Sequence, residues 1–142
     1  AKGFSQVCFL DTYEGKYLEE LGGMNMFVVM ADGTIRTPEL TGVILEGGTR
    51  SAILRLLRDE GVDVREEKIA LSEVVDGIRS GAVAEVFACG TAAVVTPITC
   101  LGGDDFDVEI EVGDKTREIH KRLTDIQWGR AEDPYGWTYR LA

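Results

Sequence analysis

The stretch Glu85-Val-Phe-Ala-Cys-Gly-Thr-Ala-Ala-Val-Val-Thr-Pro97 constrains this chain more than any other. Two apolar β-like runs, 86–88 and 94–95, flank a turn of Gly90, Thr91, Ala92 and Ala93, none of which carries a bulky side chain. Gly90 permits an unusual φ and close backbone approach, and the Thr91 hydroxyl can donate or accept. Two readings follow. The turn is a tight connection between two core strands, where small residues fit. Alternatively it presents N–H groups and one hydroxyl to an anion, as a backbone nest does. The stretch alone leaves both open.

The rest of the chain supplies partners for these strands. Residues 6–10 read as a buried strand, 24–31 as a strongly apolar one, and 34–37 as its hairpin partner. Asp32-Gly33 between them predicts a two-residue type I′ connection. Residues 50–60 predict a helix with Ile53, Leu54, Leu56 and Leu57 as its apolar stripe and Gly61 as its C-cap. Residues 62–69 alternate as a half-exposed strand. Ser72 is expected to cap a short helix with Val74, Val75 and Ile78 inward. The second run of the opening stretch extends toward Leu101, and 106–112 alternate as a strand with one face in water. Asp114 is expected to cap a last helix with Ile119, Leu123 and Ile126 on one face. The order of strands, helix, strand, helix, strands, helix means a mixed α/β fold with much antiparallel pairing.

Composition narrows the function. The chain of 142 residues suits one domain, and 25 acidic against 15 basic residues give a formal charge of −10. Nucleic-acid binding needs a basic face, which is absent, and the same charge disfavours anionic membrane surfaces. No apolar run approaches the ~20 residues of a membrane span, and no signal peptide is read at the N-terminus. Cys8, Cys89 and Cys100 lack metal-ligand spacing and sit in apolar segments, so buried thiols in a reducing cytoplasm are expected. His120, the one histidine, falls on a charged helix face.

Two further stretches carry possible chemistry. In Glu20-Leu-Gly-Gly-Met-Asn25 a carboxylate precedes two glycines and a buried strand. It is either a solvated acid before a loop or a group that faces a ring nitrogen and favours its protonated form. In Leu45-Glu-Gly-Gly-Thr-Arg50 the helix start offers free N–H groups and the Thr49 hydroxyl to a phosphate, or Thr49 simply caps the helix. Arg50 either touches an anion or lies on the solvated face. Two threonine-bearing donor turns and one carboxylate would hold a phosphorylated heterocycle by its two ends.

These three stretches, together with Thr37-Pro-Glu-Leu-Thr-Gly-Val-Ile before Leu45, and Ile126-Gln-Trp-Gly-Arg and Pro134-Tyr-Gly-Trp137 near the end, resemble the branched-chain amino-acid aminotransferases. The resemblance runs from about Asp11 to the end. It implies pyridoxal 5′-phosphate as cofactor and the C-terminal large domain of fold type IV, an antiparallel-rich β pseudo-barrel with flanking helices. By the same resemblance Glu20 meets the pyridine nitrogen, Leu45 packs on the ring, and Gly48, Thr49 and Thr91 hold the phosphate. Gly23, Met24, Thr91 and Ala92 lie against the substrate. Amino acids and 2-oxo acids are the implied small-molecule partners, in a cytoplasmic homodimer. The implied reaction exchanges an amino group between leucine, isoleucine or valine and 2-oxoglutarate. D-amino-acid transaminase and aminodeoxychorismate lyase share several of these features. A non-catalytic domain that binds a phosphorylated ligand or a partner is the reading from another class.

The departures are specific. The family's Schiff-base lysine would precede Ala1, and neither Lys2 nor Lys16 matches it, so no catalytic residue is assigned within 1–142 and these residues alone are expected to be inactive. The small N-terminal domain of the family has no counterpart in the sequence. Glu46 stands where proline is usual, and Gly48 where a β-branched residue is common.

Overall fold

The computed structural model describes residues 8–10, 16–21, 24–39, 48–90, 94–102 and 107–127. Its centre is a five-stranded sheet in the order β5-β4-β3-β6-β7. The strands are β3 (Asn25–Met30), β4 (Ile35–Pro38), β5 (Val64–Glu67), β6 (Val83–Gly90) and β7 (Val94–Pro97). All neighbours pair antiparallel except β4 and β5, which are parallel, with helix α1 (Gly48–Asp59) as the crossover that such a pair needs. Helix α2 (Leu71–Ser80) precedes β6, and α3 (Asp114–Gln127) follows the short strands β8 (Cys100–Gly102) and β9 (Asp107–Glu109). Strands β1 (Cys8–Leu10) and β2 (Leu18–Leu21) form a separate antiparallel pair. The mixed architecture and the antiparallel bias are those the sequence predicts.

Strand alternation sorts the core into two clusters, one on each face of the sheet. From β3, Met26 and Val28 join Val86 and Ala88 of β6, Val74 and Val75 of α2, and Leu101, Val108 and Ile110. Phe27 and Val29 join Phe87, Cys89 and Val95 with Ile53, Leu56 and Leu57 of α1 and Ile119 and Leu123 of α3. The Phe27 and Phe87 rings, paired in register, stack with centroids 5.0 Å apart and planes 7° from parallel. A contact of this kind adds about 0.5–1.5 kcal/mol to the burial of the two rings. The register slips by one residue beside Ala84, where Val29 pairs with Glu85 and Met30 with Val83. This bulge turns Val83 to the α2 face, against Gly77, while Glu85 keeps the α1–α3 face.

Several local expectations are corrected. The β3–β4 hairpin has three connecting residues, because Val29 pairs with Ile35 and the Met30 N–H donates to the Thr34 carbonyl at 2.8 Å. Gly33 takes φ 95°, and the Asp32 carboxylate accepts the Thr34 N–H at 2.9 Å. A single left-handed residue after a turn gives the three-residue hairpin its return twist, so a two-residue turn is not needed. Helix α2 starts one residue before Ser72, with Ala70 at its N-cap and no side-chain cap. Asp114 is the first residue of α3 and fully exposed; the N–H groups of Lys115 and Thr116 donate instead to Glu85, at 3.2 and 2.8 Å. The extended run after the opening turn breaks into β7 and β8. Within the alternating run 106–112 the strand β9 spans Asp107–Glu109, followed by a bond from the Ile110 N–H to the Thr99 carbonyl at 2.9 Å. Gly61 closes α1 as predicted: it takes φ 81°, its N–H donates to the Arg58 carbonyl, and that of Val62 donates to Leu57. These two bonds are a Schellman pair.

Candidate functional site

Register brings segments that adjoin several of the predicted site residues to one end of the sheet. Cys89 pairs with Asn25 at the start of β3, and Gly90 pairs with Val94 at the start of β7. Pro38, the last residue of β4, lies at the same end, because β4 runs antiparallel to β3. Met24, immediately before β3, is half-buried against the α2-face cluster. Glu20 belongs to β2, and only two residues separate the end of β2 from Met24. Residues Gly23, Leu45, Thr91 and Ala92 lie outside the described residues; Glu20 is described through its backbone alone, as is Gly48.

Helix α1 begins at this end too. Gly48, Thr49 and Arg50 form its first three residues, and no acidic residue occupies its first turn. The first N–H groups of a helix have no partner within it and carry the positive end of the dipole, so this start is chemically suited to an anion. Thr49 is half-buried.

Arg50 does not lie on the solvated face. It is 1 % exposed, and its Nη2 donates to the Pro38 carbonyl at 3.2 Å and to Glu66 Oε1 at 2.8 Å. The same carboxylate accepts from Arg58 Nη2 through Oε2 at 2.9 Å. Burying a guanidinium is costly unless a carboxylate is near, and β5, parallel to β4, brings Glu66 there. Hydrogen bonds from Arg58 first, and then from Arg50, hold the Glu66 carboxyl below its usual range against the opposing effect of partial burial. Only the tertiary pairing of β4 with β5 makes this cluster; a periodicity in α1 does not announce it.

Cys89 adjoins the same cluster. Burial pushes its thiol up to about 12, with the nearby Arg50 charge pulling the other way, so the thiol is a neutral wall. Cys100, expected to be buried, is only partly so, and its thiol donates to Asp107 at 3.3 Å. His120 is exposed, as its helix face predicts.

The sequence and the fold have known counterparts. A model of the amino-transferase class IV family matches residues 1–101. The chain is 43% identical over 145 residues to a probable branched-chain-amino-acid aminotransferase of Streptomyces coelicolor, covering 100% of the chain and 40% of that relative. It superposes on the branched-chain amino acid aminotransferase of Escherichia coli with a TM-score of 0.80 at 31% identity, over 95% of this chain and 41% of the other. An aminotransferase from Brucella abortus bound to the cofactor PLP gives a TM-score of 0.64 at 28% identity, over 81% of this chain and 36% of its own. The chain thus spans about two fifths of the proteins it matches. The fold, the ordered motifs and the family match agree, and the chain belongs to the class IV aminotransferases.

Proposed function

We propose that this chain forms the cofactor-holding part of a pyridoxal 5′-phosphate-dependent branched-chain amino-acid transaminase. In the full-length protein the reaction exchanges an amino group between leucine, isoleucine or valine and 2-oxoglutarate. One observation carries the reading: an acid-free helix start, the end of the β6–β7 pair and the entry to β3 converge at one end of the sheet. The likeness to proteins named as branched-chain aminotransferases supports the substrate class.

The described donors fit a phosphate. The α1 start offers N–H groups and a dipole end, with the buried Arg50 cation in its first turn. When bound, the cofactor supplies an electron sink for the charge left on the amino acid when its α-proton departs. In this reading the Gly48 and Thr49 N–H groups and the Thr91 hydroxyl hold the phosphate. Glu20 keeps a proton on the ring nitrogen, and Leu45 packs on the ring face. Gly23 and Met24 border the substrate side chain, and the backbone at Thr91 and Ala92 receives its carboxylate. The cytoplasmic homodimer belongs to the same proposal.

The test is a substrate panel on the full-length protein. Turnover of leucine, isoleucine and valine with 2-oxoglutarate supports the reading. Preferred turnover of D-amino acids or aminodeoxychorismate moves the protein elsewhere in the fold type. Absence of any turnover, with retained phosphate-ligand binding, favours a binding domain. Residues 1–142 alone are expected not to transaminate, and borohydride with pyridoxal 5′-phosphate should leave scattered lysine adducts. One stoichiometric adduct together with leucine turnover would overturn that expectation.

A further inference from the structure

Resting on the reading that a phosphate sits at the start of α1, we infer that Glu66 is a positioning residue for that phosphate, acting through Arg50. Arg50 and Arg58 lie eight residues apart on α1, and one Glu66 oxygen accepts from each, at 2.8 and 2.9 Å. The Arg50 guanidinium is also tied to the Pro38 carbonyl, the last of β4, at 3.2 Å. One carboxylate therefore grips the helix in its first turn and again near its last, and a strand end holds the first grip.

The two grips differ in kind. The Arg50 side chain is 2% exposed and that of Arg58 49%, so the grip next to the helix start is the desolvated one. Charged hydrogen bonds are stronger than neutral ones and strongly directional when buried. Arg50 Nε is buried with no partner among the described residues, which leaves Glu66 and Pro38 as this guanidinium's anchors there. Rocking or sliding α1 against the β4–β5 pair would break both. The outcome is a fixed direction for the N–H groups that leave the helix start.

Substituting Glu66 has two opposed effects on an anion at that start. Loss of its negative charge favours the anion, whereas loss of the grip lets the donors drift. Its side chain is about one third exposed and shared by two guanidiniums, so its own field is largely neutralised and screened. The donors act at contact distance. Loss of the grip therefore dominates.

The experiment compares the affinity of the full-length protein for pyridoxal 5′-phosphate with that for pyridoxal, which lacks the phosphate. For Glu66→Gln the ratio of the two affinities is expected to fall about two- to thirtyfold, the range that a helix end is worth to a partly buried anion, with pyridoxal affinity little changed. Arg58→Met, which leaves the buried grip intact, is expected to shift the ratio in the same direction but less. It carries the test should Glu66→Gln fail to fold. An unchanged or increased ratio, or an equal loss for both ligands, overturns the positioning role. A wild-type protein with no preference for the phosphorylated ligand overturns the underlying reading instead.

Discussion

The carboxylate of Glu85, in the central strand β6, accepts the backbone N–H of Thr116 at 2.8 Å and that of Lys115 at 3.2 Å. A strand residue thus caps a helix that begins well downstream. Glu85 is 7% exposed, and Gly113 leaves it room: a Cβ at Gly113 would lie 2.4 Å from the Glu85 carboxyl carbon. Glu85→Ala is expected to lower stability by about 1–2 kcal/mol through loss of the cap. It should be read as a lower denaturant midpoint. Gly113→Ala should also destabilise, through displacement of the same carboxylate.

The Arg50–Glu66–Arg58 cluster predicts unequal costs. Arg50→Met removes the buried donor to Glu66 and Pro38 but leaves Glu66 about one third exposed and paired with Arg58, so it should cost about 1.5–3 kcal/mol. Arg58→Met removes a half-exposed partner and should cost about 0–1 kcal/mol. Equal losses in parallel denaturant titrations would contradict the burial argument.

The same carboxylate gives a pH signature. The folded Glu66 carboxyl lies below its ordinary value of 4.5, so it stabilises the fold above that value. The contribution is lost as pH falls below 4.5 and through the folded pKa. Stability measured from pH 7 downward should decline less steeply in Glu66→Gln than in the wild type.

Helix α2 predicts an exception to helix propensity. Gly77→Ala would gain about 1 kcal/mol from propensity, but a Cβ there meets Val83 Cγ2 at 2.6 Å. Overpacking costs about 1–3 kcal/mol, so the substitution should destabilise on balance. Adding Val83→Ala should remove that part of the loss, as a double-mutant cycle would register.

The two described free thiols should react differently. Cys89 is buried with its thiol pushed up to about 12, and alkylation should await unfolding. Cys100 donates to Asp107, which raises its thiol above the usual range. Asp107→Asn should therefore speed native-state alkylation at Cys100, with modification located by mass spectrometry.

Local chemistry made much of this fold readable. The alternation of β3 assigned Met26 and Val28 to one face and Phe27 and Val29 to the other. The stripe of α1 identified its buried side, and Gly61 marked its end. Caps were misread where the capping acceptor came from afar or was missing. Asp114 and Ser72 have suitable side chains at plausible places, but Glu85 serves α3, and α2 begins with no side-chain cap. In the hairpin, Asp32-Gly33 fixed the place of reversal, while the pairing of Val29 with Ile35 set the loop at three residues.

The site divides in the same way. Sequence by itself determined the ordered motifs, the apolar runs and the acid-free helix start, because each depends on neighbours along the chain. Tertiary structure alone decided that β4 and β5 run parallel, which brings Glu66 to Arg50 and turns a residue with an ambiguous face into a buried anchor. The reason is desolvation: a guanidinium becomes an interior group only where a carboxylate and a carbonyl from other strands meet it.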